Sequence, residues 1–509
     1  MTMPAAAARL PSRPTKLKLA RDLPPFRFRR IPRLPGTVLV VNEVGHWQFL
    51  TDGEFAQLLE GKLDSTTPTY RALAEKQMLP GAQYDRLIEQ FREKNKHVFQ
   101  GTSLHILAIT LRCNQACHYC HSSKVGLNAP GVDMSLETAK TIVDRVFESS
   151  SYGIHIEFQG GEPLVAWDTI KFVVDYANEK NKYRERDLAF TVVTNLSLMT
   201  HERMYWLLDH GVMICTSLDG PKDLHEANRP FKMGSSSHDH VVRWIDEIHA
   251  EYEKRGYDPM VARVNALLTV TKASLARGRD IVDEYVRRGL KAITLRHLDP
   301  YGFALPLWPR LGYTAEEYLK FYYETTDYIV ERNLAGVELV EKMSSTFLTK
   351  ILTPRDPNHM DYRSPCGAGI GQIAYNYDGR VYTCDEGRMV AEMGDDLFLI
   401  GDVGRNSYDE MVQSETVKSL AVASTLENVP YCNQCTYKTS CGVCPVYNYV
   451  TQGDIFGQMT TNGRCTMSMG MQDYLYARLY DDPQGKVREV FDRWTVDRDR
   501  SMIFRRGGS

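Results

Sequence analysis

The sequence predicts an α/β fold: a parallel sheet curled into a partial (β/α)6 barrel, preceded by a small module of strands and helices and followed by a cysteine-rich domain. Three observations carry this. Residues 103–300 alternate strand and helix through six repeats, and such alternation gives a parallel sheet with helices on its outer face. Ten of the eleven cysteines fall in two clusters, 113–120 and 366–465. The stretch 25–100 reads as three short strands and then three helices.

At 509 residues the chain is long enough for two or three domains, each with its own core. Hydrophobic residues make up 43% and charged residues 25%, ordinary globular values. A formal net charge of -3 sets up no field for nucleic acid or an anionic membrane, so neither is expected as a partner. No apolar run is long enough to cross a bilayer. The Ala-, Pro-, Arg- and Lys-rich start lacks an apolar signal core, which argues against secretion. Cysteines at metal-ligand spacing favour a reducing compartment, and a soluble cytoplasmic protein is expected.

Taken in order, residues 1–24 are expected to be a flexible arm. In the module 25–100, alternation at 26–30, a β-branched run at 37–41 and a segment at 46–50 after a Glu-Val-Gly turn predict strands; helices follow near 53–61, 66–77 and 82–96. The barrel is expected over 101–310. Its first strand, 104–111, is almost continuously apolar. Ser135 caps a helix whose Ala139, Ile142, Val143, Val146 and Phe147 share one face. Strands at 154–158, 188–194, 212–217, 261–270 and 292–296 alternate with helices near 166–179, 200–210, 238–252 and 274–289. A helical bridge (311–359), a cysteine-, glycine- and turn-rich domain (360–470) and a helix with a charged tail (471–509) complete the chain.

Functional groups of parallel α/β folds gather at the C-terminal ends of strands, and the motifs lie there. After strand one comes Cys113-Asn-Gln-Ala-Cys117-His-Tyr119-Cys120. Three thiolates on one loop can hold three irons of a [4Fe–4S] cube and leave the fourth open; a structural zinc knuckle is the alternative. After strand two comes Gln159-Gly160-Gly161-Glu162-Pro163, where glycines permit close approach of a ligand and a carboxylate can meet an ammonium. Thr194-Asn195-Leu-Ser197 follows strand three. Ser217-Leu-Asp219-Gly220-Pro221 follows strand four, with Arg229 shortly after. Cys215, inside that strand, reads as a small buried hydrophobe.

Cys-x3-Cys-x2-Cys with Tyr119 before the last cysteine resembles the signature of radical S-adenosylmethionine enzymes, which implies a TIM-like partial barrel and a [4Fe–4S] cluster on Cys113, Cys117 and Cys120. The resemblance implies contacts to S-adenosylmethionine from Tyr119, Gly160, Gly161, Glu162, Asn195, Ser197, Ser217, Asp219 and Arg229. The later cysteines, Cys366-x12-Gly379-x4-Cys384, Cys432-x2-Cys435-x5-Cys441-x2-Cys444 and Cys465, resemble the SPASM domain with its two auxiliary [4Fe–4S] clusters. Carried over, Cys432, Cys435, Cys441 and Cys465 hold one and Cys366, Cys384 and Cys444 the other. Two departures stand out. The family has three residues between its last clustered pair, not two, and the stretch 357–365 lacks an eighth cysteine; that corner is either open, capped by His359 or Asp361, or occupied by substrate. Asp385 and Glu386 are either a proton acceptor or ordinary loop acids. No catalytic acid or base is otherwise named, because the cofactor carries the hard chemistry.

The module 25–100 resembles the winged-helix modules that capture leader peptides by strand addition. Together with Phe26-Arg-Phe-Arg-Arg, Phe158-Gln-Gly-Gly-Glu-Pro-Leu and Tyr375-Asn-Tyr-Asp-Gly, it makes the chain similar to the His-Xaa-Ser-system radical S-adenosylmethionine maturases. This implies a ribosomally made precursor peptide as substrate, oxidative cross-linking of its side chains, and an electron donor of flavodoxin or ferredoxin type. Alternatives are thioether formation, formylglycine generation as in sulfatase maturation, or a non-catalytic iron–sulfur carrier.

Overall fold

The computed structural model describes residues 23–231 and 235–497; the expected arm 1–24 and the end of the tail lie almost wholly outside them. The chain divides into two compact units, residues 1–91 and 92–509.

In the first unit, strands β1 (Phe26–Arg29), β2 (Thr37–Asn42) and β3 (Trp47–Thr51) form an antiparallel sheet in the order β1-β2-β3. Every residue of β2 is buried, as befits a central strand. Helix Asp52–Glu60 starts in a capping box between Thr51 and Glu54 and stops at Gly61, whose φ of 67° few other residues adopt cheaply. Helix Pro68–Glu75 is capped by Thr67 with Pro68 in its first turn, and Tyr84–Asn95 is the third. Val38, Val40, Leu50, Phe55, Leu58 and Leu73 form the core. The expected three strands and three helices are all present.

The second unit is built on one nine-stranded sheet. Its strands are β4 (Leu104–Thr110), β5 (Gly153–Gly160), β6 (Asp187–Val193), β7 (Val212–Ser217), β8 (Asn265–Thr269), β10 (Leu295–Arg296), β12 (Gln372–Tyr375), β13 (Arg380–Tyr382) and β14 (Leu399–Asp402). Two further strands, β9 (Ala292–Ile293) and β11 (Val340–Glu341), pair separately. The sheet order is β10-β8-β7-β6-β5-β4-β12-β13-β14, parallel from β10 through β12. Strands β4 to β8 and β10 are the six expected repeats, in sequence order. Helix Leu136–Val146, capped by Ser135, buries Ala139, Ile142, Val143 and Val146, each large aliphatic contributing roughly 1.5–3 kcal/mol.

Two features differ from expectation. The sixth strand is split: β9 turns to β11 while β10 stays beside β8, because the buried Glu341 carboxylate accepts from Leu295 N (3.2 Å) and Met343 N (3.1 Å) and holds the break open. More consequentially, the cysteine-rich region is not a separate body. Its strand β12 pairs in parallel with β4, with Ala374 opposite Ile106, so the sheet runs on across the predicted boundaries at 310 and 360. Among the described residues no helix is long and apolar enough to cross a membrane.

Candidate functional site

The cysteine loop leaves the end of β4 and is clamped by backbone bonds. Cys113 N donates to Val125 O (3.0 Å), Ala116 N to Pro230 O (3.0 Å) and His118 N to Asn228 O (3.0 Å). Against it lies the turn after β5. Gly161 N donates to Thr110 O (2.7 Å) and Glu162 N to Arg112 O (2.8 Å). A side chain on Gly160 would begin 2.1 Å from Thr110 O, and one on Gly161 2.4 Å from Arg112 O. The room these glycines provide is therefore filled by the chain's own backbone, where the sequence suggested a ligand.

Glu162 also departs from expectation. Its carboxylate is 1% exposed and accepts from Thr194 Oγ1 (2.6 Å), Leu164 N (3.0 Å) and Asn195 N (2.8 Å). Burial pushes its pKa up while these bonds pull it down. It ties the turn after β6 to the cysteine loop instead of reaching outward to an ammonium. Asn195 in turn donates from Nδ2 to Asn114 Oδ1 (3.1 Å) and to Cys113 Sγ (3.9 Å), and its Oδ1 accepts from Ser197 N at 2.9 Å. Asn114 Nδ2 donates to Ser197 Oγ (2.8 Å). Asn114, inside the first cysteine spacing, was missed by the sequence reading; its place between two cysteines of one loop was the only signal.

Tyr119, Asp219 and Arg229 form one buried assembly. Tyr119 Oη donates to both Asp219 oxygens (2.9 and 2.7 Å), and Arg229 Nε donates to Asp219 Oδ2 (3.2 Å). The guanidinium lies 5.1 Å from the Tyr119 ring centroid, and its Nη1 reaches Cys117 Sγ at 3.8 Å. Asp219 is 0% exposed. Tyr119 and Asp219 bond each other, and together they position Arg229 and the loop. Tyr119 is held well above its usual pKa by burial and Asp219. His225 accepts from Asp219 N through Nδ1 (3.3 Å), and burial and Arg229 hold its pKa well below the usual value.

Burial raises two of the three thiols. Cys113 is pushed up to about 12 by burial and then by Glu162; Cys117 rises to about 11 through burial, against the pull of Arg229. Ligation by iron requires thiolates, so the arginine and the Gln115 N–H on Cys113 Sγ (3.4 Å) favour the metal-bound form.

The seven later cysteines sort into two groups. Cys366, Cys384 and Cys444 share a buried cluster with Tyr301 and Phe398. Cys432, Cys441 and Cys465 share another with Leu426, Val429 and Met459, and Cys435 acts electrostatically on Cys432 and Cys441. Cys384 and Cys444 each cap a helix, accepting from Gly387 N (3.3 Å) and Tyr447 N (3.4 Å), positions that stabilise negative sulfur. Among the described residues no three His, Cys, Asp or Glu side chains converge as ligands of a single ion. The Tyr301 hydroxyl beside the first group is buried without a hydrogen-bond partner, a donor that fits the sulfides of a cluster. Within the shortened spacing before Cys444, a side chain on Gly442 would start 2.6 Å from Asp361 O, so only glycine fits there.

A cavity of about 610 Å³ connects the two regions. Ser217 and Arg229 line it near the cysteine loop; His155 and Glu157 line its sheet floor, and Asp361, Asp385 and Glu386 line it on the auxiliary side. Cys215 is buried as expected but belongs to this wall, accepting from Asn265 Nδ2 (3.6 Å). Glu386 is raised to about 7 by burial and Asp361, against Arg296.

The profile of the Radical SAM superfamily matches residues 107–263, and that of the SPASM iron–sulfur cluster-binding domain matches 366–436. A cysteine-type anaerobic sulfatase-maturating enzyme of Clostridium perfringens is 24% identical over 297 residues, covering 56% of this chain and 74% of that one. The fold is shared with native anSMEcpe with bound AdoMet (TM-score 0.62, 20% identity, 77% of this chain and 99% of that one). It is shared too with Streptococcus suis SuiB bound to precursor peptide SuiA (TM-score 0.52, 13% identity, 86% and 98%). The chain spans 62% of the length of the first curated relative it matches.

Proposed function

From the premise that this chain is a radical S-adenosylmethionine superfamily protein carrying a C-terminal SPASM domain, we propose that it oxidatively modifies side chains of a ribosomally made precursor peptide, by cross-linking. The observation that carries the reading is the single cavity running from Arg229 and Ser217 to Asp385 and Glu386. It offers one substrate side chain access to both the cysteine loop and the auxiliary group.

When bound, the cluster and S-adenosylmethionine supply a 5′-deoxyadenosyl radical that removes one hydrogen atom from substrate. The chain's own residues do the rest. Arg229, fixed by Asp219 and Tyr119, presents a cation beside Cys117 to a carboxylate of cofactor or substrate. Asn195 and Ser197, held by Glu162 and Asn114, offer hydroxyl and amide groups to a ribose. Asp385 or Glu386 on the cavity wall would take the proton released when a substrate radical is oxidised, and clusters held by the later cysteines would supply the electron acceptor. An external donor of flavodoxin or ferredoxin type supplies the reducing electron. In the first unit, β1 and β3 are the outer strands of the sheet among the described residues, the position from which a leader is captured by strand addition.

The test is anaerobic incubation with dithionite, S-adenosylmethionine and a short peptide encoded beside the gene, read by mass spectrometry. Loss of two hydrogens without fragmentation is the expected product. An unchanged peptide and no 5′-deoxyadenosine would leave an iron–sulfur carrier. A second reading, formylglycine generation, is favoured by the Clostridium perfringens relative; a carbonyl at a former Ser or Cys would select it.

A further inference from the structure

The group Cys366, Cys384 and Cys444 supplies three thiols, whereas a [4Fe–4S] cube has four irons to ligate. The preceding stretch, Pro357-Asn-His-Met-Asp-Tyr-Arg-Ser-Pro365, contains no cysteine. Its 3₁₀ turn, Met360–Tyr362, is wedged between both ends of the cysteine group. On one side, Gly367 N donates to Met360 O (3.0 Å), and the Met360 sulfur lies 2.4 Å from where a Gly367 side chain would begin. On the other, Gly442 faces Asp361 O and Tyr362 Cα at 2.6 and 2.7 Å from its missing Cβ. The backbone of Met360–Tyr362 is thus held against the two segments that carry Cys366 and Cys444, at Gly367 and Gly442, by contacts that leave only glycine room.

Three carboxylates from this region line the cavity: Asp361, Asp385 and Glu386. Asp385 accepts from Arg388 Nε (2.9 Å) and Glu386 from Arg296 Nη2 (3.3 Å). The Asp361 carboxylate makes no hydrogen bond or ion pair among the described residues, and its charge bears on both the Cys366 and the Cys444 thiols. His359 also lines the cavity but packs its ring on Tyr362 at 5.6 Å, with burial lowering its pKa, and Met360 is committed to the glycine notch. The Tyr301 hydroxyl, in a side chain 1% exposed beside Cys444, still lacks an acceptor. A buried donor of this kind implies an acceptor that the polypeptide does not supply.

We infer that Asp361 is the fourth ligand of the auxiliary cluster formed on Cys366, Cys384 and Cys444, an inference that rests on reading this group as a cluster. Carboxylate oxygen then closes the cube against substrate thiols, and the cluster carries electrons without binding peptide.

The test uses the full chain, purified anaerobically with its iron, and compares wild type with Asp361→Ala, Asp361→Cys and Cys366→Ala by iron content, electron paramagnetic resonance and redox titration. Signals that move on adding S-adenosylmethionine are assigned to the Cys113–Cys120 set and set aside. The wild-type auxiliary signal is expected to ignore added 2-mercaptoethanol. Asp361→Ala should become sensitive to it, and Asp361→Cys should keep full iron with a shifted potential. If Asp361→Ala does not fold, Asp361→Asn should show the same sensitivity. A wild-type signal that responds to the thiol, or a variant signal identical to wild type, overturns the assignment. Cys366→Ala should lose one third of the iron; full retention would overturn the cluster reading itself, and the ligand with it.

Discussion

The two cysteine regions solve different problems with the same side chain. The loop at 113–120 surrounds its thiols with polar groups, Asn195, Gln115 and the Arg229 guanidinium, the last of which lines the cavity. The region 366–465 sets its thiols in apolar clusters with Leu420, Phe398, Leu426 and Val429, and gives them backbone N–H donors at helix starts. The first arrangement suits an exchangeable partner; the second suits a permanent one, where iron ligation contributes to folding itself.

The comparison can be broken most sharply by removing thiols. Replacing Cys113, Cys117 and Cys120 together by Ala should abolish 5′-deoxyadenosine formation, measured by chromatography, while iron on the second region remains and the melting temperature changes little. Replacing Cys441, partly buried beside Cys432 and Cys465, should instead lower the melting temperature and iron content together. Loss of stability from the first set and not the second would reverse the comparison.

Next in size is Asp219→Ala. It strands the buried Arg229 and Tyr119, and removing one partner of such a pair costs about 3–5 kcal/mol. Denaturant unfolding should show the loss, with Asp219→Asn recovering part of it. Smaller effects come from the two tight glycines, where overpacking costs about 1–3 kcal/mol. Gly161→Ala should weaken S-adenosylmethionine binding in equilibrium dialysis and spare auxiliary iron; Gly442→Ala should do the opposite. Smallest is Ser197→Ala, which removes one hydroxyl from the Asn114–Asn195 triangle at about 0.5–1.5 kcal/mol; a reduced affinity with unchanged iron content is the expected readout.

Much of this was legible because local pattern and local structure coincide. Ser135 and the apolar face of Ala139, Ile142 and Val143 specify a helix wherever it packs, and the cysteine loop follows directly from an apolar run. What escaped was non-local or directional. Periodicity cannot reveal that β12 pairs with β4, nor that Glu341 splits the sixth strand from a distance. Residue type marked Glu162, Tyr119 and Asp219 as site residues, yet Tyr119 bonds Asp219 while Glu162 bonds Thr194, Leu164 N and Asn195 N, which only the three-dimensional arrangement decides.

The junction of β4 with β12 also bears on how the chain is made. Gln372, which pairs with Leu104, emerges from the ribosome about 260 residues after β4, or roughly 13–50 s later at ~5–20 residues per second. For that interval the strand feeding the cysteine loop has an open side, the kind of template that recruits wrong partners. Iron loading that waits for the last sheet strands would therefore act on a loop already clamped from both flanks, and a ribosome stalled before residue 372 would release a product prone to aggregate.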